Sequence, residues 1–520
     1  MPSMPSKWFN TAGPCKADIH YMLPPLARLP QLERLIAQQG YFVIHAPRQT
    51  GKTTAMLALA KQLTDSGQYA AIMVSAEAGS AFSQSSSEAE ETLLALWKDV
   101  ATYRLPAELH PPEWENLVQG QRVHAAFQAW AVSSPRPLVI FIDEIDSLRD
   151  ELLVSILRQL RSGYPNRPDG FPHALALVGV RDVRDYKVAS GGSERLNTSS
   201  PFNVKVESLT LRDFTIEEVT WLYRQHTEET GQVFSTEAIA RAYELTRGQP
   251  WLVNAIARQL VEFLVTDIEQ TISAADVDAA KEILIQRQDT HLDSLASILR
   301  EDRVRKILEP MLLGQEIGSV SPEDIQYLVD LGLCRRSPYG GIEVSNPIYQ
   351  EVIPRSLSQV PQDALPQIYP TWLTEEGELD TQQLLDAFLA FWRQHGEPLL
   401  KSAPYHEIAP HLVLMAFLHR VVNGGGSIER EYAIGRDRMD LCVRYGHATL
   451  AIEIKVWRDG RKDPLSAGLE QLDRYLNGLG LEEGWLVIFD RRADLPPIAE
   501  RTSVETSTTP QGKNVTVIRG

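Results

Sequence analysis

The sequence predicts an α/β protein in at least two parts: a parallel sheet with crossover helices that leads into a helical subdomain, and a second α/β unit near the C-terminal end. Three observations carry this. From Tyr41 to about Leu209, short apolar β-rich runs alternate with helical stretches, the pattern of a parallel sheet whose strands are joined by helices. Gly51-Lys52-Thr53 follows the first of those runs and opens a helix. Beyond Pro404 the order is helix, three strands, helix, strand.

The strand candidates of the first part are Tyr41–His45, Tyr69–Ser75, Leu138–Ile142, Ala174–Val180 and Val204–Leu209. Between the second and third lies a long stretch with Ser-rich residues 83–87 and Pro-broken residues 105–112, which reads as surface loops around inserted helices. After Leu209, residues 215–230, 235–246, 250–266 and 274–287 carry apolar side chains at helical spacing with almost no strand signal, as a helical lid would. Residues 303–353 give short helices, then Leu333-Cys334-Arg335-Arg336, a Tyr339-Gly340-Gly341 turn and Ile342-Glu343-Val344, an order similar to a winged helix. Residues 354–370 are rich in Pro, Gln and Ser and suit a linker, and a helix over 381–394 leads into the last unit. The expected boundaries are 1–210, 211–300, 301–353, 354–403 and 404–520.

A chain of 520 residues is too long for one core, and 43% hydrophobic with 23% charged residues is a globular balance. The cysteines Cys15, Cys334 and Cys442 lie far apart, so neither a disulfide framework nor a zinc site is expected. No apolar run is long enough to cross a bilayer, and the expected setting is cytoplasmic, away from membranes. A net charge of -17 excludes a broad electrostatic grip on nucleic acid. Any chemistry on nucleic acid must then rest on a local site.

The segment Ala46-Pro47-Arg48-Gln49-Thr50-Gly51-Lys52-Thr53-Thr54 sits between a strand and a helix. There, backbone N–H groups and the helix N-terminus bind phosphate, Lys52 reaches the β- and γ-phosphates, and the Thr53 hydroxyl ligates Mg²⁺. Ala46 stands where such a loop usually has its first glycine, which is tolerable if that position keeps a negative φ. The strand at Leu138–Ile142 runs into Asp143-Glu144. Asp143 is expected to hold Mg²⁺ through water and Glu144 to polarise the attacking water.

The phosphate loop, Asp143-Glu144-Ile145-Asp146, Gly179-Val180-Arg181-Asp182 and Gly248-Gln249-Pro250 together resemble the AAA+-related STAND and archaeal-type ATPases, over about Trp8 to Ile353. The resemblance implies ATP as ligand, nucleotide-dependent switching and a winged helix after the lid. It also puts Arg181 at the place of a γ-phosphate sensor, although a salt bridge to Asp182 or Asp185 would explain that arginine equally well. Gly248-Gln249-Pro250 is open to a second account, a helix stop followed by a Pro-initiated helix. A γ-phosphate contact from a neighbour would require a homo-oligomer, and a switch of this kind implies an unidentified protein partner. The second helix of the winged segment, Pro322–Asp330, carries Glu323, Asp324 and Asp330 and neither Lys nor Arg. It would repel phosphate, so intramolecular packing is expected of it.

In the last unit the expected elements are helix 406–421, strands 428–433, 438–444 and 449–456, helix 467–476 and strand 485–489. Asp440 and Glu453 fall on neighbouring strands, where a hairpin brings both to one Mg²⁺ with the Ile454 carbonyl as a further ligand. Lys455 shares the face of Glu453 by strand alternation and can orient the attacking water. Gln471 and Tyr475 lie one helical turn apart. Element order and residues together resemble the PD-(D/E)xK nuclease superfamily over about Pro404 to Asp490, with Met439 in place of its namesake proline. The resemblance implies Mg²⁺-dependent cleavage of nucleic acid, DNA above RNA, with Gln471 and Tyr475 supporting the site and contacting substrate, and with Arg436, Arg438, Arg458, Arg461 and Lys462 close enough to meet phosphate.

Overall fold

The computed structural model describes residues 6–82, 85–114, 118–148, 150–181, 204–287, 298–299, 301–312, 320–337, 340–353, 371–374, 378–402, 409–422, 426–434 and 437–520. Its backbone contacts divide into two compact units, residues 1–281 with 321–345, and residues 282–320 with 346–520.

In the first unit, β1 (Tyr41–His45), β2 (Ala70–Ser75), β3 (Leu138–Asp143), β4 (Ala174–Gly179) and β5 (Glu207–Thr210) form one sheet in the order β2-β3-β4-β1-β5, with every neighbouring pair parallel. Burial on both faces explains the near-continuous apolar runs. Along β1, Tyr41 and Val43 enter one core while Phe42 and Ile44 enter the other. The strand order reverses beside β1, and in open α/β sheets the crevice beyond the carboxyl ends of the strands at such a reversal is where ligands bind. The fifth strand begins at Glu207 rather than Val204, and the helix α1 (Leu32–Ala37) precedes β1. The long insertion is helical, with α3 (Ser86–Arg104) and α4 (Arg122–Ser133) packing Trp97, Phe127 and Trp130 into one sheet face; α2 (Lys52–Asp65) lies before it and α5 (Asp150–Gly163) after β3.

The lid comprises α6 (Ile216–Thr230), α7 (Thr236–Thr246), α8 (Pro250–Gln259) and α9 (Ala274–Arg287), the last leaving this unit at Lys281. α6 starts at a capping box, with Thr215 accepting from the Glu218 N–H and Glu218 from the Thr215 N–H. α8 ends at Gln259, where a π-turn over Leu260–Leu264 takes over from the single helix expected to residue 266. Residues 321–345 pack within this unit as α10 (Pro322–Asp330) and the antiparallel pair β6 (Cys334–Arg336) and β7 (Ile342–Val344). Arg335 pairs with Glu343 at 2.6 Å and Arg336 donates to Gln326 at 2.9 Å, so both basic residues of this hairpin are engaged intramolecularly. Helix Asp302–Leu312 clusters with the second unit. The linker expected at 354–370 lies outside the described residues.

The second unit is built on a six-stranded mixed sheet in the order β12-β13-β11-β10-β9-β8. After α11 (Thr381–Ser402) and α12 (Ala409–Val422) come β8 (Gly426–Ile434), β9 (Asp437–Tyr445), β10 (Ala448–Trp457), α13 (Leu465–Leu479), β11 (Glu483–Asp490), β12 (Ser503–Thr508) and β13 (Asn514–Arg519). β8, β9 and β10 run antiparallel, whereas β10–β11 and β11–β13 are parallel. The last two strands were absent from the sequence expectation. α13 covers one face, with Leu472, Tyr475 and Leu476 against Cys442, Ala451, Leu486 and Ile488. Among the described residues no helix is long and apolar enough to cross a membrane.

Candidate functional site

The phosphate loop takes its shape from two left-handed residues, Gln49 (φ 60°) and Gly51 (φ 93°). Gly51 is the N-cap of α2, and a Cβ there would be strained by its φ and would stand 3.0 Å from the Arg28 guanidinium. Ala46 is buried and is not among the positive-φ residues, which removes the objection to a side chain at that position. Within the loop, the Thr50 hydroxyl donates to the Pro47 carbonyl at 3.0 Å, and Lys52 Nζ donates to the carbonyls of Ala46 (2.8 Å) and Pro47 (2.7 Å). The Thr54 hydroxyl accepts from the Cys15 N–H at 3.1 Å. Burial pushes the Lys52 amine down to about 8, against the pull of Asp143 and Asp146. A cation so poorly solvated gains from meeting a phosphate.

Thr53 and Asp143 come together from α2 and β3, the hydroxyl donating to Asp143 Oδ2 at 2.7 Å. Burial raises the Asp143 pKa, opposed by the bonds from Thr53 and the Glu144 N–H and by the charge of Lys52. This pair of hard oxygens fits Mg²⁺, which needs only one or two protein groups beside phosphate and water. Glu144 has φ 56° at the strand exit, and the Ser75 hydroxyl at the end of β2 donates to its Oε2 at 2.7 Å. A cavity of about 720 Å³ is lined by Arg48, Lys52, Thr53, Glu77, Asp143 and Glu144 among others.

Next to it, a cavity of about 380 Å³ adjoins residues 49–54 of the loop and is closed by Asn10, Cys15, Met22, Pro24, Arg28, Phe214, Trp251 and Asn254 among others. The N-terminal segment is fastened to the lid: Met22 exchanges two hydrogen bonds with Gln225, Tyr21 donates to Glu229 at 2.7 Å, and the Trp251 indole donates to the Thr11 carbonyl at 2.9 Å. Arg28 donates to the carbonyls of Thr50 and Arg212 and lies over the Phe214 ring. Burial pushes its guanidinium down to about 10, while Glu218 and Asp213 pull the other way.

Sequence reasoning missed Ser75, Arg28 and the N-terminal segment. Trp251 and Asn254, three residues apart on α8 and so on one helix face, are a signal that could have been used. Gly248-Gln249-Pro250 is a helix junction: Arg247 (φ 51°) and Gly248 (φ 80°) end α7, Gln249 Oε1 accepts from the Leu252 N–H at 2.6 Å, and Pro250 opens α8. Pro250 also borders the smaller cavity. Arg181 lies with its guanidinium 4.9 Å from the centre of the Tyr327 ring, and Asp182 and Asp185 lie outside the described residues.

In the second unit, Glu453 is fully buried on β10 and its Oε1 accepts from Lys455 Nζ at 2.6 Å. The same amine donates to Gln471 Oε1 at 2.8 Å, and Gln471 Nε2 donates to the buried Tyr475 hydroxyl at 2.6 Å. Strand and helix therefore share one polar chain, Glu453–Lys455–Gln471–Tyr475. Ile454 alternates to the opposite face and joins the other core with Trp485 and Val487. The β9–β10 register pairs Leu441 with Ile452, so Asp440 and Glu453 are the next positions along those strands. The side chains of Asp440 and Arg438, and all of Arg436, lie outside the described residues. Among the described residues no group of three or more His, Cys, Asp or Glu is placed to hold a metal ion.

Residues 26–166 match the family model of the AAA ATPase domain, so this segment is an AAA ATPase domain within an α/β fold. No curated protein matches the chain. Among solved structures, the chain is similar to a Walker-type ATPase of Pyrococcus abyssi, at 12% identity over 66% of this chain and 99% of that one, with a TM-score of 0.47. It is also similar to the RuvB Holliday junction branch migration motor of Thermotoga maritima, at 17% identity, 63% and 92% coverage and a TM-score of 0.34. A third likeness is to the ORC2 protein of Aeropyrum pernix, at 15% identity, 63% and 91% coverage and a TM-score of 0.37.

Proposed function

We propose that the chain is an ATP-binding and ATP-hydrolysing switch of the AAA+/STAND kind coupled to a Mg²⁺-dependent nuclease domain. The observation that carries the first half is the meeting of Lys52, Thr53, Asp143 and Glu144 around one cavity. The backbone N–H groups at the start of α2 and the Lys52 amine hold the β- and γ-phosphates, and residues 10–28 with the lid enclose the nucleoside. Thr53 and Asp143 hold Mg²⁺, which when bound neutralises phosphate charge. Glu144 accepts a proton from the attacking water, and Ser75 keeps its carboxylate in place. Arg181, two residues beyond β4, is the γ-phosphate sensor.

A Glu144→Gln chain is expected to bind ATP as tightly as the parent while phosphate release falls by about 100-fold or more. Equal turnover by both proteins removes Glu144 as the base of the reaction.

The second half of the proposal rests on the polar chain Glu453–Lys455–Gln471–Tyr475. Asp440, Glu453 and the Ile454 carbonyl would hold Mg²⁺, Lys455 would orient the attacking water, and Gln471 with Tyr475 would fix the lysine. DNA is the proposed substrate, met locally through Arg458, Arg461 and Lys462. Plasmid incubated with Mg²⁺ and ATP is expected to be cut by the parent and left intact by Lys455→Ala. If neither protein cuts DNA or RNA while ATP is hydrolysed, the second unit is a binding module of a regulatory ATPase instead.

A further inference from the structure

We propose that Arg48 is a catalytic residue of the ATPase reaction, a cation that the chain supplies to its own γ-phosphoryl group from the crest of the phosphate loop. This rests on the ATPase reading above and adds to it the group that answers charge developing at the far end of the triphosphate.

Charges of both signs line the 720 Å³ cavity. Among the described residues its cationic lining is Arg48 and Lys52, with the carboxylates Glu77, Asp143, Glu144 and Asp146. Lys52 sits on the floor, tied to the loop carbonyls of Ala46 and Pro47. Arg48 is exposed at the rim, and its charge is felt by both Lys52 and Glu77. Arg28, which also touches the loop, is committed elsewhere. Arg28 bonds the carbonyls of Thr50 and Arg212 and borders the smaller cavity.

The backbone at Arg48 is held on both sides. Pro47 before it has a φ fixed by its ring, and its carbonyl is bonded by Thr50 and Lys52; Gln49 after it occupies the left-handed region. A long planar guanidinium on a fixed base is suited to bridging phosphate oxygens. In hydrolysis the water oxygen forms a bond to the γ-phosphorus while the bond to the β–γ bridging oxygen breaks. The electron pair of that bond stays on ADP, and the water proton passes to Glu144. Charge shifts toward the γ-oxygens and the bridging oxygen, where an arginine stabilises the transition state more than the ground state.

The test uses the full chain with Mg²⁺ and ATP, comparing Arg48→Gln and Arg48→Lys with the parent for kcat and for ATP Kd by competition with a fluorescent ATP analogue. Arg48→Gln should lower kcat about 100-fold with Kd within about threefold, and Arg48→Lys should fall between. A kcat within twofold of the parent, or a Kd that rises as far as kcat falls, overturns the proposal. Mixing Arg48→Gln with Glu144→Gln discriminates further: regained activity would mean the arginine serves a neighbouring chain, and the assignment to the same chain fails. A parent that binds ATP without hydrolysing it refutes the ATPase reading itself, a result separable from the others.

Discussion

Lys52→Met should separate two consequences of one side chain, raising the stability of the nucleotide-free protein at neutral pH while lowering its affinity for ATP. Lys52 is 9% exposed, and burial holds the pKa of its amine at about 8 against an ordinary 10.5. At about 1.4 kcal/mol per pH unit, that span corresponds to about 3 kcal/mol of native-state cost for the charged form. The unfolded lysine binds its proton more readily than the folded one. The cost is therefore complete below about pH 8, shrinks between about 8 and 10.5, and is gone above that. Substitution also forfeits the bonds to the Ala46 and Pro47 carbonyls, about 1 kcal/mol each. The net gain at pH 7 is then about 1 kcal/mol, turning to a loss of about 2 kcal/mol above pH 10.5. Losing a charge-assisted bond to phosphate, about 1.5 to 3 kcal/mol, weakens ATP binding roughly 10- to 150-fold. The assay is urea unfolding without nucleotide at pH 7 and pH 10, following the first transition, beside equilibrium binding of a fluorescent ATP analogue. A variant less stable than the parent by more than about 2 kcal/mol at pH 7, or a difference that does not change with pH, refutes the reasoning.

Three further perturbations follow from the same geometry. Gly248→Ala puts a Cβ 2.0 Å from the Phe214 carbonyl oxygen at φ 80°, so a loss of at least about 3 kcal/mol is expected; an unchanged melting temperature would show that this junction yields freely. Ser75→Ala removes the hydroxyl that holds Glu144, and kcat for ATP should fall about tenfold with Kd unchanged, the contrary sign being a Kd that moves instead. Gln471→Leu cuts the link between Lys455 and Tyr475 and should cost the second unit about 1 to 3 kcal/mol, read as a lower unfolding midpoint. Tyr475→Phe, which removes one acceptor from that chain, should cost less than Gln471→Leu.

Much of this protein was legible in one dimension because its signals are local. A strand buried on both faces must be apolar throughout, a phosphate loop needs Gly51-Lys52-Thr53 between a strand and a helix, and helical spacing marks the lid. The fixed strand alternation in β10 likewise set Glu453 and Lys455 on one face before any fold was known. Other features carry no local signature. Ser503–Thr508 is an almost wholly exposed edge strand, without the apolar alternation by which a strand is recognised, and it exists because β13 pairs with it. Residues 6–25 have neither period, yet they become one wall of a cavity through bonds to Gln225, Glu229 and Trp251, more than two hundred residues away. Ser75 and Arg28 gain their roles only when β2 ends beside Glu144 and the loop carbonyl of Thr50 comes within reach. Sequence by itself determined which groups can bind phosphate or ligate a hard cation, since that follows from side-chain chemistry and short-range geometry. Tertiary structure alone decided which distant groups hold them in place, because packing brings together residues whose separation along the chain bears no relation to their separation in space.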